Sequence, residues 1–277
     1  MIPWVFFFLR AMGNGCSSPV ISAQQEEPCV SPGGDCFPFN GQPVLQDVDL
    51  MVPPGDFLVV IGPNGGGKTT LLKLMLGLLE PTRGTVRVFG QPPGKAAHRI
   101  GYVPQNVHIN RTFPVSVLDV VLMGRLRSGK GWSRHARQDR LAAQAVMEQL
   151  GVWAYRDRRI GELSGGQLQR VFIARALVSA PEILFLDEAM ASIDAQGRGD
   201  FYEALTELNR TVTIVAVSHD MMILSSHVKS VACVNRDLHY HDSGEITQEM
   251  LDAAYRCPVD LVAHGLPHRV LCRHEGK

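Results

Sequence analysis

Nine consecutive residues, Gly62-Pro63-Asn64-Gly65-Gly66-Gly67-Lys68-Thr69-Thr70, constrain this chain more than any other stretch. They follow an apolar run, Phe57-Leu58-Val59-Val60-Ile61, and precede a second one over residues 71–79. Strand, glycine loop and helix form the setting in which G-x-x-x-x-G-K-[ST] grips a polyphosphate. Glycines let backbone N–H groups close on phosphate oxygens with no side chain in the way. Lys68 can reach the outer phosphates, the Thr69 hydroxyl suits an accompanying Mg²⁺, and the helix turns its positive end toward the anion. The stretch demands a strand that opens at its carboxyl end onto a helix N-terminus, with a nucleotide as ligand.

The rest of the chain predicts an α/β domain around that unit. Residues 44–52 predict a strand closed by the turn Pro53-Pro54-Gly55. The helix after the loop is expected over 67–79, stopped by Pro81 and Gly84, with short strands over 85–89 and 99–103. Residues 106–162 then read as mostly helical, with helices over 115–123 and 138–150. Ala143, Val146, Met147 and Leu150 line one face of the second. The basic residues between them (Arg125, Arg127, Lys130, Arg134, Arg137, Arg140) read as a solvated face, because no second basic stripe or stacking platform accompanies them. The α/β pattern resumes with a helix over 167–180 and an all-apolar strand over 183–186. Next come a helix with Phe201, Ala204, Leu205 and Leu208 on one face and a strand over 212–217.

Nucleotide sites in open α/β sheets form at the carboxyl ends of strands. Three predicted strands end in polar residues there: Ile61 runs into the glycine loop, Leu186 into Asp187-Glu188, and Val217 into Ser218-His219. Asp187 suits a carboxylate that holds Mg²⁺ through water, Glu188 a base for an attacking water, and His219 a γ-phosphate contact. Gln105, between a strand and the helical region, suits contact with both metal and water. A second anion-grasping loop, Leu163-Ser164-Gly165-Gly166-Gln167, opens a helix of its own. One site has no use for two such loops. A head-to-tail pair of chains, each site built from both, uses them all.

These five motifs, in this order, closely resemble the nucleotide-binding domain of ABC ATPases over residues 37–236. The resemblance implies a P-loop NTPase fold of ABC type: a mainly parallel core sheet with an antiparallel β part and an α-helical subdomain inserted at about 106–180. Residues 1–36 then read as a loose extension and 237–277 as a tail. It implies that Ser164 and Gly166 touch the γ-phosphate held by a second copy, that Asp194 of Ser192-Ile193-Asp194 lies in the loop crossing the dimer interface, and that Phe39 stacks on adenine, Phe37 being the fallback. The family's usual Pro after the catalytic Glu is here Ala189. The implied activity is ATP hydrolysis with Mg²⁺ that drives transport, at the cytoplasmic face of the inner membrane. The partners are a second copy, a polytopic permease and, indirectly, a substrate-binding protein.

The stretch from Thr112-Phe113-Pro114-Val115 to Arg125 is similar to importer ATPases, and the tail Cys257-Pro258-Val259-Asp260-Leu261-Val262-Ala263-His264-Gly265-Leu266-Pro267-His268, with Ala232-Cys233-Val234-Asn235-Arg236 before it, is similar to the zinc/manganese-uptake ABC family. They point to zinc first, then manganese or iron(II). His264, His268, Cys257, Cys272 and His274 offer metal ligands, but Gly265 and Pro267 break the helix that would align the histidines, so a packed or interface-forming tail is preferred. Alternatives from other classes fit less well. A chromosome-type ATPase needs a long coiled coil, a translation-type one usually carries two such domains, and a non-hydrolysing regulator has no need of Glu188 and His219 together. Zero formal net charge provides no global field for nucleic acid. The six cysteines are expected as free thiols, given a nucleotide-using domain of this size. The apolar run over 2–9 is far short of the ~20 residues that cross a membrane; a loose extension, or a start at Met12, is the preferred reading.

Overall fold

Residues 57–61, 183–187 and 213–217 are buried at every position, which a parallel sheet covered on both faces requires. The computed structural model describes residues 36–39, 42–105, 113–126, 137–189, 195–218 and 228–242. Strands β1 (Cys36–Phe39) and β2 (Gln42–Leu45) form a two-stranded antiparallel ribbon. The main sheet holds β3 (Phe57–Ile61), β4 (Ile100–Val103), β5 (Ile183–Asp187), β6 (Thr213–Val217), β7 (Ser230–Asn235) and β8 (Asp237–His241). Its order is β4-β5-β6-β3-β7-β8. Every neighbouring pair is parallel except β7 with β8. The fold is therefore the mixed, mostly parallel α/β arrangement expected from the motifs. The sheet continues past Arg236, because β8 returns beside β7 as far as His241.

Successive strand residues point to opposite faces, and each face builds its own core. Leu58, Val60, Phe185 and Val215 pack with Leu71, Leu72 and Met75 of α1 (Lys68–Met75). Val59, Ile61, Leu184, Leu186 and Ile214 pack on the other face with α3 (Val117–Leu122), α5 (Gly165–Leu177) and α6 (Ala195–Asn209). A short helix, α2 (Pro93–Ala96), precedes β4, and α4 (Arg137–Gln149) buries Ala143 and Met147 against the same side as α5. No strand interrupts the described residues between β4 and β5. Arg125 ties these helices together: its Nε donates to Asp139 Oδ1 at 2.8 Å and its Nη1 to the Val178 carbonyl at 3.3 Å.

Several expected elements are different in the fold. No strand forms over 85–89. Val88 and Gln91 instead exchange backbone hydrogen bonds across a tight turn, with Phe89 at φ 54° and the Arg99 guanidinium 3.7 Å over its ring. The first strand stops at Leu45, where Asp47 takes φ 46°. Helix α1 stops at Met75 rather than near Pro81. Gly77 at φ 69° donates to the Leu74 carbonyl and Leu78 N–H to that of Lys73, a left-handed cap that satisfies the last carbonyls. Helix α3 is shorter than expected and tightens into a 3₁₀ turn over Met123–Arg125. Asp194, His219, the amino-terminal run with Met12 and the Cys/His-bearing tail lie outside the described residues. Cys233 is free and buried, and burial pushes its thiol up to about 11. No helix among the described residues is long and apolar enough to cross a membrane.

At the amino ends of the central strands sits a buried polar group. Asp56 accepts from Ser230 Oγ at 2.6 Å, and its carbonyl accepts from Asn209 Nδ2 at 2.8 Å. Burial, the largest effect, pushes the Asp56 carboxyl above the usual range; the Ser230 and Phe57 N–H bonds and Lys229 oppose it, while Asp242 adds to it. The folded chain therefore holds this proton more tightly than the unfolded chain. The stability it contributes is full below the ordinary carboxylate value and falls as pH rises through the raised one. Asp56→Asn should remove that slope: as pH rises above the ordinary carboxylate value of about 4, the urea midpoint of the wild type declines relative to the variant. A constant difference across that rise would contradict the assignment.

Candidate functional site

The site is built where β3, β5 and β6 end side by side. Val60 pairs with Val217 and Asp187 with Val217, so the loop after β3 and the acids after β5 emerge at one level. Gly62 leaves β3 at φ 146°, and a Cβ there would lie 2.0 Å from the Val234 carbonyl oxygen. Only a residue without a side chain fits between the loop and β7. The loop is held from both sides. Gly66 N–H donates to the Pro63 carbonyl at 3.1 Å, and Arg236 N–H to the Gly66 carbonyl at 3.0 Å. Gln46 N–H donates to the Arg236 carbonyl at 2.8 Å, extending the bracket to the end of β2.

Lys68 opens α1 and is 5% exposed. Its Nζ donates to the carbonyls of Gly62 and Pro63, each at 2.9 Å. Burial pulls its pKa down, and Glu188 and then Asp187 oppose that shift. Lysine and both acids thus converge from two separate strand–loop units. Asn64, Gly65 and Thr69 are exposed and Thr70 half-buried.

Asp187 is 4% exposed. Burial pushes its carboxyl up and Glu188 adds to this; Lys73, the Tyr102 hydroxyl and Lys68 pull the other way. Its Oδ1 has no hydrogen-bond partner among the described residues. Glu188 is half-buried at φ 45°, a left-handed conformation uncommon for a side-chain-bearing residue, and its N–H donates to the Val217 carbonyl at 3.0 Å. The Gln105 amide, just past β4, donates to Glu188 Oε2. Ser218 N–H donates to the Val60 carbonyl at 3.1 Å, which keeps β6 against β3 up to the residue before His219.

The second glycine loop stands at the start of α5. Leu163 is buried in the helical core, while Ser164 and Gly165 are exposed. Ser164 caps the helix: its Oγ accepts from Gln167 N–H at 3.4 Å, and Gln167 Oε1 accepts from Ser164 N–H at 3.0 Å. Nothing lies within 4 Å of where a Cβ on Gly166 would be, so that face is open to a ligand. Phe39 takes its place in β1 opposite Gln42, and its side chain lies outside the described residues.

Lys68, Asp187, Glu188 and Gln105 are brought together as their sequence positions suggested. Three contributors were missed. Tyr102 stands on β4 on the same sheet face as Asp187, and it and Lys73 lie close enough to bias that carboxyl. The β7–β8 turn grips the glycine loop through Val234 and Arg236. Tyr102 had a signal, as a hydroxyl-bearing residue on the strand that ends at Gln105. The backbone grip had none, because it depends on no side chain.

The family profile described as ABC transporter matches residues 45–191. The chain is 42% identical over 199 residues to the zinc transport system ATP-binding protein TroB of Treponema pallidum, covering 71% of this chain and 74% of that one. It is 39% identical over 219 residues to the zinc import ATP-binding protein ZnuC of Pseudomonas syringae, covering 78% and 76%. A solved ABC transporter chain in an inward-facing conformation superposes with a TM-score of 0.71 at 28% identity, covering 83% of this chain and 91% of that one.

The geometry at Gly62 makes a direct expectation. Gly62→Ala should lower affinity for a fluorescent ATP analogue by more than about tenfold, because the loop must shift off the Val234 carbonyl. Gly94→Ala, at a position with open space around it, should leave affinity unchanged and supports the comparison as a control.

Proposed function

The chain belongs to the ABC transporter family, and on that premise we propose that it is the ATP-hydrolysing motor of an importer for a divalent metal ion, zinc first. It is an ATPase, and ATP is its substrate. The observation that carries the chemistry is the convergence of Lys68, Asp187 and Glu188 at adjacent strand ends, with Gln105 already bonded to Glu188. The zinc reading is supported by the names of the relatives TroB and ZnuC. Manganese or iron(II) remains the alternative cargo.

In the proposed mechanism the loop N–H groups and Lys68 hold the phosphates, and Lys68 exchanges its two carbonyl partners for phosphate oxygens. The site residues fit Mg²⁺: Asp187 Oδ1 is a carboxylate oxygen without a hydrogen-bond partner among the described residues, and the Thr69 hydroxyl stands at the head of α1. Asp187, Thr69 and Gln105 are the residues to hold it. When bound, it neutralises charge on the β- and γ-phosphate oxygens. Glu188 takes the proton of the attacking water, and the Gln105 amide orients its carboxylate. His219 is assigned the γ-phosphate contact and Phe39 the adenine.

Ser164 and Gly166 are assigned to the nucleotide held by a second copy, in a head-to-tail dimer crossed near Asp194. The exposed, capped start of α5 supports this: Ser164 is already ordered and Gly166 faces open space. A polytopic permease at the cytoplasmic face of the membrane would receive the movement through the helical part, and a substrate-binding protein would deliver the ion to it. A cavity of about 1060 Å³ beside Arg99, Arg125, Ser179 and Glu182 lies between helical part and sheet, a suitable seat for such a contact.

Glu188→Gln should lower turnover by roughly 10²–10⁴-fold and accumulate ATP-bound dimers in size-exclusion chromatography. Retained turnover would remove Glu188 as the base. Ser164→Arg should abolish hydrolysis while single chains bind ATP as before; equal loss of both would contradict the shared site. Uptake of labelled zinc, manganese and iron(II) by cells carrying the chain with its permease identifies the cargo.

A further inference from the structure

The turn between β7 and β8 is a single residue. Asn235 pairs with Asp237, and Arg236 alone reverses the chain, at φ 68°. Both of its backbone polar groups point out of the hairpin. Its N–H donates to the Gly66 carbonyl at 3.0 Å, and its carbonyl accepts from Gln46 N–H at 2.8 Å. The tip therefore stands between the glycine loop and the residue that follows β2. The loop also packs on the same two elements. A Cβ on Gly66 would lie 2.8 Å from the Val234 carbonyl oxygen, and one on Gly67 would lie 2.5 Å from Leu45 Cδ2. Packing closes these two sides of the loop, and the bond from Arg236 gives it a direction.

That bond decides which way a peptide faces. The Gly66 carbonyl and the Gly67 N–H belong to one trans peptide, whose two polar groups point to opposite sides. With the carbonyl turned to the hairpin, the N–H faces away from it, at the N-cap of α1. Gly66 and Gly67 carry no side chain to hold this plane, and glycine tolerates both orientations, so the restraint has to come from a neighbour. We infer that Arg236 is a positioning residue for this loop: its backbone N–H, not its guanidinium, fixes the Gly66–Gly67 peptide so that the Gly67 N–H is presented to a bound polyphosphate. Gln46 in turn fixes Arg236. This rests on the reading of residues 62–70 as the phosphate-holding loop. The hairpin covers one side of the peptide plane, so an anion reaches the N–H from the other. By reciprocity, a polyphosphate held by the loop strengthens the bond that prepares the loop.

The test is displacement of a fluorescent ATP analogue from the full chain by inorganic tripolyphosphate. Arg236→Pro removes the N–H and cannot take a positive φ. It should weaken tripolyphosphate roughly 10-fold, the order expected when a hydrogen bond is lost and its buried acceptor is left without a donor. Arg236→Gly keeps the N–H and accepts φ 68°, so it should bind as the wild type does. Equal loss in both variants would make the guanidinium the acting group and overturn the inference. Lys68→Ala is measured alongside. If it weakens tripolyphosphate and Arg236→Pro does not, the inference fails and the reading of the loop stands. If neither weakens it, the reading of the loop fails and the inference falls with it. The wild-type chain supplies a readout that depends on no variant's folding. Saturating tripolyphosphate should slow hydrogen exchange of the Arg236 amide, followed by NMR, by roughly 10-fold as well. An unchanged exchange rate would overturn the inference even where Arg236→Pro binds weakly, since a merely structural turn does not respond to the anion.

Discussion

The parallel pairing of β3 with β6 on one side and β7 on the other is the constraint on which the nucleotide end depends. Each backbone group of β3 is committed to a neighbour, and each side chain is buried in one of two cores. The strand has no freedom to bend, so the chain must turn within the loop itself. It does so against the backbone of β7, whose Val234 carbonyl occupies the space a side chain on Gly62 would need. The glycine composition of the loop is therefore set twice, by the phosphates it is to receive and by the strand behind it. The β7–β8 turn matters for the same reason. Arg236 sits at φ 68° and spends its N–H on the loop and its carbonyl on Gln46.

Burial and charge are balanced at the mouth of that strand. A lysine as enclosed as Lys68 is costly in charged form, and two loop carbonyls together with the fields of Glu188 and Asp187 offset the cost. Asp187 carries the opposite problem, a carboxylate raised by burial and by a like charge beside it. Neither group is well matched to the site alone. Each is stabilised by the other and by charges a ligand would bring, which is the arrangement expected where binding energy is needed to organise catalytic groups.

Much of this was legible in the sequence because it rests on local rules. Uninterrupted apolar strands, a glycine loop and a capped helix start each have a physical signature, and β3, β5, β6, α4 and the start of α5 follow theirs closely. Most misses occurred where distant residues decide. Residues 85–89 have strand composition, but Arg99 stacks on Phe89 and pairs with Glu182, which fixes a tight turn instead. The end of α1 was assigned to proline and the Gly84 region, whereas the nearer Gly77 already supplied the left-handed residue a helix end takes. β8 went unread because its polar residues alternate at a sheet edge, where only one face is covered. Tyr102 was not singled out in the sequence, because only the register places it on the same face as Asp187. The roles assigned to His219, Asp194 and Phe39 rest on motif position rather than on described side-chain geometry.

The register also gives a physical route for the proposed coupling. β4 is the edge strand of the sheet; it pairs with β5, packs under α5 and leads toward the helical region. Gln105, at its end, is bonded to Glu188, and Tyr102, within it, stands on the same face as Asp187. A displacement of the helical part acts on β4 before any central strand, since β3, β5 and β6 are each held by neighbours on both sides. Glu188, the proposed base, is then the most easily disturbed group, because the Gln105 bonded to it is exposed and beyond the last paired residue of β4, while Asp187 lies within β5, paired with Val217. Movement of the helices can therefore change the orientation of Glu188 while the carboxylate assigned to the metal keeps its place, separating control of hydrolysis from retention of the nucleotide.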